Sequence, residues 1–256
     1  MSPYNTHKEE ISQLKEGVFE VLKHEGETLA DLVLRFRKEK GLPTEEKVTY
    51  AGRLDPMASG IVILLAGQAR FEKEKWNAKK KTYEVDILLG IETDTLDMLG
   101  LVTKVAVEGC ENAWIEKTLA DMKSITSLPY PMYSSRPVDG EPLFVHARRG
   151  TAVKAPLKHV QIYDVVCVGI EERKLQSLIE EALLIIEKVS GDFRQEEIVK
   201  GWGEVALLHG EKSVQIVTIE VMCSSGTYMR SLAQWLGSQL GVPALAYRIT
   251  RTNVRE

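Results

Sequence analysis

The residues with the clearest chemical potential lie in TYAGRLDPMASGIVILLAGQ, residues 49–68. A turn centred on Asp55 runs through Gly60 into the apolar run 61–66, which is typical of a buried strand. We therefore expect Asp55 on a tight loop at the edge of a rigid sheet, where catalytic groups tend to lie. A carboxylate there can act as a nucleophile or stabilise an electron-poor carbon. The alternative is an Asp-Pro turn with a purely structural role.

The elements that must position this loop are a mixture of helices and strands. The patterns predict helices over 29–40, 112–123, 173–188 and 228–240, and strands over 61–66, 82–89, 160–169 and 214–223. Because strand and helix do not alternate regularly, we predict an α+β fold whose mixed, largely antiparallel sheet is flanked by helices. Asn112 is a candidate helix cap, and Asp192 with Gln195 resembles a capping box. The prolines and glycines of 128–150 indicate an irregular loop.

Composition indicates a globular protein of a reducing compartment. The chain has 256 residues, 44% of them hydrophobic, which is enough for a sizeable core. Its three cysteines are widely spaced and odd in number, so neither a disulfide framework nor a zinc site is expected. The charged N-terminus does not resemble a signal peptide, and no apolar run approaches the length of a membrane span. We expect a cytoplasmic protein without a membrane association.

The distribution of charge matters more than its sum. The formal net charge of −4 argues against a nucleic-acid-binding protein. However, residues 146–158 and 228–255 contain arginines and lysines and no acidic residue, while acidic residues concentrate in 171–197. These basic stretches are either ordinary solvated faces or surfaces for a phosphate backbone. We expect Arg148, Arg149, Lys154 and the 248–255 stretch on one RNA-facing side, opposite the acidic residues.

Four segments resemble, in order, the motifs of the TruB family of pseudouridine synthases. They are residues 49–68, residues 80–100 (KKTYEVDILLGIETDTLDMLG), residues 129–150 (PYPMYSSRPVDGEPLFVHARRG) and residues 223–241 (CSSGTYMRSLAQWLGSQLG). Any one segment alone would be a weak indication. Four in the right order across roughly two hundred residues are highly specific. The resemblance implies the pseudouridine synthase fold.

The resemblance also implies roles for individual residues. Asp55 corresponds to the essential aspartate, and Arg230 to the arginine that pairs with it. Tyr83 corresponds to the tyrosine that stacks on the target uracil and is placed to take the C5 proton. Tyr228 corresponds to a second active-site tyrosine, and Ile249 to an aliphatic residue lining the base pocket. Without the family, the tyrosines could be ordinary core aromatics and Arg230 a surface arginine.

The expected activity is isomerisation of uridine to pseudouridine at the T-loop position of tRNA usually numbered 55. The reaction has no redox change and loses no group, so we expect neither a cofactor nor a metal. The target base must leave its stack to reach a buried carboxylate, and a nearby arginine would keep that carboxylate ionised and oriented. The alternatives are a synthase of the same fold acting on another RNA, and a non-catalytic RNA-binding or RNA-folding protein.

Several departures from the family pattern concern the substrate more than the chemistry. Tyr50 replaces the usual histidine and could stack on RNA instead, and Arg53 replaces a threonine, so both are candidate substrate-binding residues. Arg136 replaces a lysine, and the N-terminal motif survives only as Lys23, Gly26 and Thr28.

The domain organisation follows from the same comparison. We expect a single catalytic domain over 1–256, acting as a monomer and lacking the C-terminal PUA domain common in the family. Within it, 129–158 would contact tRNA through Arg148 and Arg149, and the Pro-rich part 129–150 would be a mobile element closing on the RNA. Residues 171–210 resemble an insertion. The helical spacing of its apolar residues predicts packing beside the sheet, without an active-site group.

Overall fold

The structure, a computed structural model, describes residues 10–255. Its strands are β1 (Ile11–Lys15), β2 (Val18–Lys23), β3 (Val48–Ala51), β4 (Ala58–Ala66), β5 (Lys80–Leu89), β6 (Ile91–Thr93), β7 (Val102–Val105), β8 (Ser127–Pro129), β9 (Pro137–Val138), β10 (Glu141–Pro142), β11 (Leu157–His159), β12 (Ile162–Lys174), β13 (Ser213–Cys223) and β14 (Ala244–Arg255). Its α-helices are α1 (Leu29–Lys40), α2 (Lys73–Ala78), α3 (Asn112–Asp121), α4 (Leu143–Arg149), α5 (Leu175–Ile186), α6 (Gln195–His209) and α7 (Met229–Leu240). In this part of the chain, the structure contains no helix long and apolar enough to cross a membrane.

One large sheet organises the described residues. Its strand order is β1-β2-β4-β14-β5-β13-β12, and β3 pairs with the second half of β4. The pairing of β4 with β14 is parallel, whereas the other pairings in this sheet are antiparallel. The prediction of a mixed, largely antiparallel sheet flanked by helices is therefore confirmed.

Helices cover both faces of the sheet. Successive side chains of a strand point to opposite faces, so neighbouring apolar residues enter different cores. Ile87 belongs to the core that includes residues of α1, α3 and α7, whereas Leu88 belongs to the core under α5 and α6. The insertion thus docks on the sheet as predicted. Trp202 of α6 is fully buried there and donates from its indole nitrogen to the carbonyl of Met98 at 3.0 Å.

Two predicted helix caps are wrong. The Asn112 carboxamide oxygen accepts from Gln215 at 3.1 Å, and the residue at the cap of α3 is Glu111, whose side chain makes no capping hydrogen bond. The capping box of Asp192 and Gln195 does not form, because α6 begins after Arg194. The Gln195 side-chain oxygen instead accepts from the backbone nitrogen of Phe193 at 2.8 Å. Asn112 therefore makes a tertiary contact, and Gln195 a contact within the turn before α6, in place of the predicted caps.

The segment 129–150 is more ordered than its prolines and glycines suggest. It contains the short hairpin β9–β10 and the helix α4. Asp139 and Gly140 have positive φ angles of 50° and 86°, as a tight hairpin turn requires. The helix begins directly after Pro142 and ends at Gly150, which has a left-handed conformation. The segment is thus a folded unit rather than an irregular loop.

The parallel pairing of β4 and β14 depends on Gly60. Its φ is +106°, and a Cβ atom there would lie 2.2 Å from the carbonyl oxygen of Arg251. Such a contact is far inside van der Waals distance. It cannot be relieved by a side-chain rotation, because the nearest atoms belong to the backbone of Arg251. The close approach of the two backbones therefore requires glycine.

We expect Gly60→Ala to lower the free energy of unfolding by at least about 2 kcal/mol, through the strained φ and the backbone clash. Gly201→Ala is the matched control, because Gly201 lies in α6 and a Cβ atom there would contact nothing within 4 Å. This control should stabilise the protein by up to about 1 kcal/mol, the difference in helix propensity. Urea unfolding measures both changes. Equal effects of the two substitutions would contradict the assigned close approach.

Candidate active site

The loop that carries Asp55 connects β3 to β4 and is held by two buried cations. The Arg251 guanidinium donates to the carbonyl oxygens of Gly52 at 3.0 Å and Ile61 at 2.6 Å, so it bridges the two ends of the loop. From the other side, the Lys23 ammonium donates to the carbonyl oxygens of Pro56 at 3.1 Å and Ala58 at 2.5 Å. Burial lowers the pKa of Lys23 to about 8. These contacts fix the backbone on both sides of Asp55.

Arg230 lies in the first turn of α7 and faces this loop. Its Nε is 2.9 Å from Asp55 Oδ2, and its side chain is only 4% exposed, against 38% for Asp55. The carboxylate can therefore meet a substrate while the cation stays dry. Arg230 Nη1 donates to the carbonyl of Thr95 at 2.8 Å, and Nη2 to that of Tyr133 at 3.2 Å. The predicted Asp55–Arg230 pair is present.

A second carboxylate shares this arginine. Asp97 Oδ2 lies 3.7 Å from Arg230 Nε, and Asp97 Oδ1 accepts from the Thr95 hydroxyl at 2.7 Å and the Leu99 backbone nitrogen at 3.0 Å. Burial raises the pKa of Asp97 to about 6, against the opposing charge of Arg230. The Nε of Arg230 lacks an aligned hydrogen-bond acceptor within residues 10–255, so its attraction to both carboxylates is mainly electrostatic.

These groups open into a cleft of about 580 Å³. The predicted residues Asp55, Tyr83, Tyr228, Arg230 and Ile249 all line it. Such a cleft is large enough for a nucleotide base and its sugar, since ligand pockets begin at roughly 300 Å³.

The two tyrosines lie at different depths of the cleft. Tyr83 lies on β5, an interior strand of the large sheet, and is 7% exposed. Burial raises the pKa of its phenol. Tyr228 occupies the position before the first residue of α7 and packs edge-to-face on Tyr130, with the ring centroids 5.6 Å apart. Burial, followed by the charge of Asp55, raises the pKa of Tyr228 as well. Both phenols therefore hold their protons at neutral pH, which suits stacking and hydrogen bonding.

The predicted substrate-binding residues divide into two groups. Arg53 and Arg148 line the cleft, as expected. Tyr50 lies outside it, half-buried on β3, with the Lys73 ammonium 5.7 Å from its ring centroid. Arg149 also lies outside the cleft and pairs with Glu141 at 2.6 Å.

The expected separation of charge is wrong in two respects. The acidic insertion does not lie opposite the basic residues, because Arg148 Nη2 donates to the carbonyl of Asp192 at 2.7 Å. Within the 248–255 stretch, Arg251 does not face solvent, because it is only 1% exposed, and the Arg248 side chain, which is 37% exposed, pairs with Glu25 at 3.3 Å. Counting charges along a chain does not reveal which of them fold inward to satisfy backbone carbonyls.

The prediction that the insertion carries no group at the site is also wrong. Asp192, Phe193 and Arg194, between α5 and α6, line the cleft. Sequence reasoning missed Arg194, for which the pattern gives no signal, because Arg194 lies outside the four motif segments. It also missed Asp97, although this aspartate lies within the motif segment 80–100. Its place in that segment was the signal that could have identified it.

The class of protein follows from fold and site together. The fold matches that of the crystal structure of a Cbf5-Nop10-Gar1 complex, with a TM-score of 0.55 and 18% identity, covering 93% of this chain and 48% of that chain. It also matches the structure of an H/ACA RNP bound to a substrate RNA containing 2'-deoxyuridine, with a TM-score of 0.53 and 17% identity, covering 93% and 47%. At these identities the likeness establishes a shared fold alone.

The sequence comparisons establish the family. The family model for the N-terminal domain of TruB family pseudouridylate synthases matches residues 40–182, so the chain belongs to the TruB family. It is 32% identical over 238 residues to tRNA pseudouridine synthase B of Bacillus subtilis strain 168, covering 92% of this chain and 64% of the relative. It is 28% identical over 239 residues to that of Clostridium acetobutylicum, covering 93% and 67%. The chain thus spans about two thirds of the length of these relatives.

The raised pKa of Asp97 gives a pH-dependent contribution to stability. Because the folded-state pKa, about 6, lies above the ordinary value of 3.8, folding favours the protonated acid, and this stabilisation is lost as pH rises from 4 to 6. Asp97→Asn removes the ionisation. We expect the variant to gain about 2 kcal/mol of unfolding free energy relative to the unaltered protein between pH 4 and pH 7.

Urea unfolding across that pH range measures the difference. Asp164→Asn is the control, since Asp164 is an exposed carboxylate whose pKa is lowered by Lys123. Its effect should be small and of opposite sign, because the variant loses a stabilisation that is present at neutral pH and disappears as pH falls toward the acidic end. A pH-independent difference for Asp97→Asn would show that Asp97 is not the buried, titrating group.

Proposed function

We propose that the protein isomerises uridine to pseudouridine in tRNA, with the T-loop uridine at position 55 as its target. The observation that carries this proposal is the Asp55 carboxylate, exposed to a cleft and held 2.9 Å from a buried arginine. The family and the names of its relatives support the reaction, and the cleft supplies room for an extruded base.

The chemistry follows from the groups in the cleft. The reaction breaks the bond between N1 and C1′, rotates the uracil and joins C5 to C1′, while one proton leaves C5 and one is gained at N1. Asp55 is the anion that meets the electron-poor C1′, as nucleophile or as stabilising charge. Arg230 keeps it oriented, and the loop contacts of Arg251 and Lys23 keep its backbone in place.

Tyr83 and Ile249 form the platform for the extruded base in this proposal. Both are buried residues that line the cleft, Tyr83 on β5 and Ile249 on the adjacent β14, where Ile249 pairs with Val85. Because burial raises the pKa of Tyr83, its phenol is a poor base at neutral pH. We therefore assign it stacking on the uracil in preference to removal of the C5 proton.

We further propose the compartment, the oligomeric state and the RNA-docking surface of the protein. The three cysteines, Cys110, Cys167 and Cys223, are unpaired, which suits a reducing compartment, and we place the reaction in the cytoplasm. Every group assigned to the chemistry comes from one chain, so a monomer suffices. The tRNA T-arm would dock along the segment 129–158 and the wall of the cleft that contains Arg148.

Asp55→Asn tests the proposal directly. The substitution keeps the shape and removes the charge, so pseudouridine formation in an unmodified tRNA transcript should fall by at least about a thousandfold. The affinity for the transcript should change little. Chemical mapping of pseudouridine measures the product, and a transcript with cytidine at position 55 tests the position.

Asp164→Asn is the matched control, because Asp164 is an exposed aspartate that does not line the cleft. It should retain full activity. If the unaltered protein binds tRNA but forms no pseudouridine, a non-catalytic RNA-binding role replaces the proposal. If product forms at a uridine elsewhere, or in another RNA, the target is wrong while the reaction stands.

Arg148 provides a test of RNA docking. A cation that neutralises one phosphate contributes about −0.7 to −0.9 to the slope of log affinity against log salt. We expect Arg148→Gln to weaken tRNA binding and to make that slope shallower by about this amount. Lys174→Gln, which removes an exposed cation outside the cleft, should leave the slope unchanged. Equal slopes for Arg148→Gln and the unaltered protein would remove Arg148 from the interface.

A further inference from the structure

The turn between α5 and α6, residues 187–194, brings an additional arginine to the cleft. Arg194 has a left-handed backbone conformation with φ of 64°, which is uncommon for a residue with a long side chain. Such a conformation costs on the order of 1 kcal/mol or more and persists where surrounding contacts enforce it. The contacts of the Arg194 side chain, together with the hydrogen bonds of Gln195 to Val189 and Gly191, hold the turn in place.

Those contacts join two separate segments. Arg194 Nη1 lies 2.7 Å from Asp94 Oδ2, and Nη2 lies 3.2 Å from Asp94 Oδ1, a bidentate pair in which both side chains are about one fifth exposed. The same guanidinium lies over the ring of Tyr133, 4.4 Å from its centroid. A planar guanidinium can form a bidentate ion pair and stack on an aromatic ring, and an ammonium group can do neither.

Arg230 contacts the same two segments from the other side. It donates to the carbonyl of Thr95, the residue after Asp94, and to the carbonyl of Tyr133 itself. Two arginines from distant parts of the chain thus bridge one pair of segments. Arg230 binds their backbones within the site, while Arg194 binds their side chains at its edge.

We propose that Arg194 is a positioning residue for the reaction, which clamps Asp94 to Tyr133 and thereby fixes the carbonyl acceptors that orient Arg230 toward Asp55. This inference rests on the proposed function and assigns to the insertion a part in it. Arg194 acts through these neighbours and does not itself touch the reacting atoms. The same contacts connect the proposed RNA-docking segment 129–158, which includes Tyr133, to the catalytic groups.

The clamp predicts a specific kinetic signature. In Arg194→Met the side chain keeps its length but loses both the ion pair and the stacked guanidinium, so Arg230 has less firmly placed acceptors. Because small misplacements of catalytic groups reduce rates strongly, the single-turnover rate constant should fall by about ten- to a hundredfold. The dissociation constant for tRNA should change by less than about threefold, since the phosphate-facing Arg148 is retained.

Three further variants separate positioning from folding. Arg194→Lys restores the charge without the planar fork and should recover part of the rate. Asp94→Asn should slow the reaction similarly, and the double variant should be no slower than the worse single variant, as expected for residues acting as a pair. Arg173→Met is the matched control: Arg173 is a comparably exposed arginine that pairs with Glu181 of α5 and does not line the cleft. It should leave the rate unchanged.

The measurements are single-turnover pseudouridine formation, tRNA affinity and urea unfolding for each folded variant. A full rate in Arg194→Met, with the unaltered protein active, overturns the clamp and leaves the proposed function standing. A loss of tRNA affinity with an unchanged rate constant also overturns it, since Arg194 would then be an RNA contact. An unaltered protein that forms no pseudouridine overturns the proposed function, and the assignment of Arg194 falls with it.

Discussion

A buried guanidinium must be surrounded by acceptors and negative charge, and Arg230 imposes this requirement on the whole active site. Its partners come from three segments: Asp55 from the loop after β3, Thr95 and Asp97 from the loop after β6, and Tyr133 from the segment after β8. One buried side chain in α7 thus joins three segments that are distant from one another in the chain.

The same principle extends outward through two more buried cations. Lys23 and Arg251 each direct their donors at backbone carbonyls around the catalytic loop, so that buried side chains hold the loop. A loop held in this way loses little free energy to reorganisation when a base enters the cleft. Burial of the cations is therefore part of how the site is kept in a productive geometry, even where they do not meet the substrate.

The parts of the fold predicted from sequence are those set by local patterns. The helix over 29–40 and the strands around 61–66 and 82–89 follow from apolar periodicity, and the Asp55–Arg230 pair from ordered motifs. Arg194 could not be placed in this way, because its contacts depend on a left-handed turn and on Asp94, one hundred positions away. Arg251 was predicted to face RNA, but its carbonyl partners become visible only when β14 lies beside β4.

The place of β14 in the sheet has a consequence for biosynthesis. It lies between β4 and β5, so residues 244–255 join two strands that precede them in the chain by well over one hundred residues. Until a ribosome has released these residues, the nascent polypeptide has two unsatisfied strand edges, and the catalytic loop lacks the guanidinium that bridges its ends. Pairings of such long sequence separation form slowly, because loop closure precedes any gain from contact. The nascent chain is thus exposed to edge-to-edge association until translation has passed β14, and it acquires an ordered catalytic loop only then.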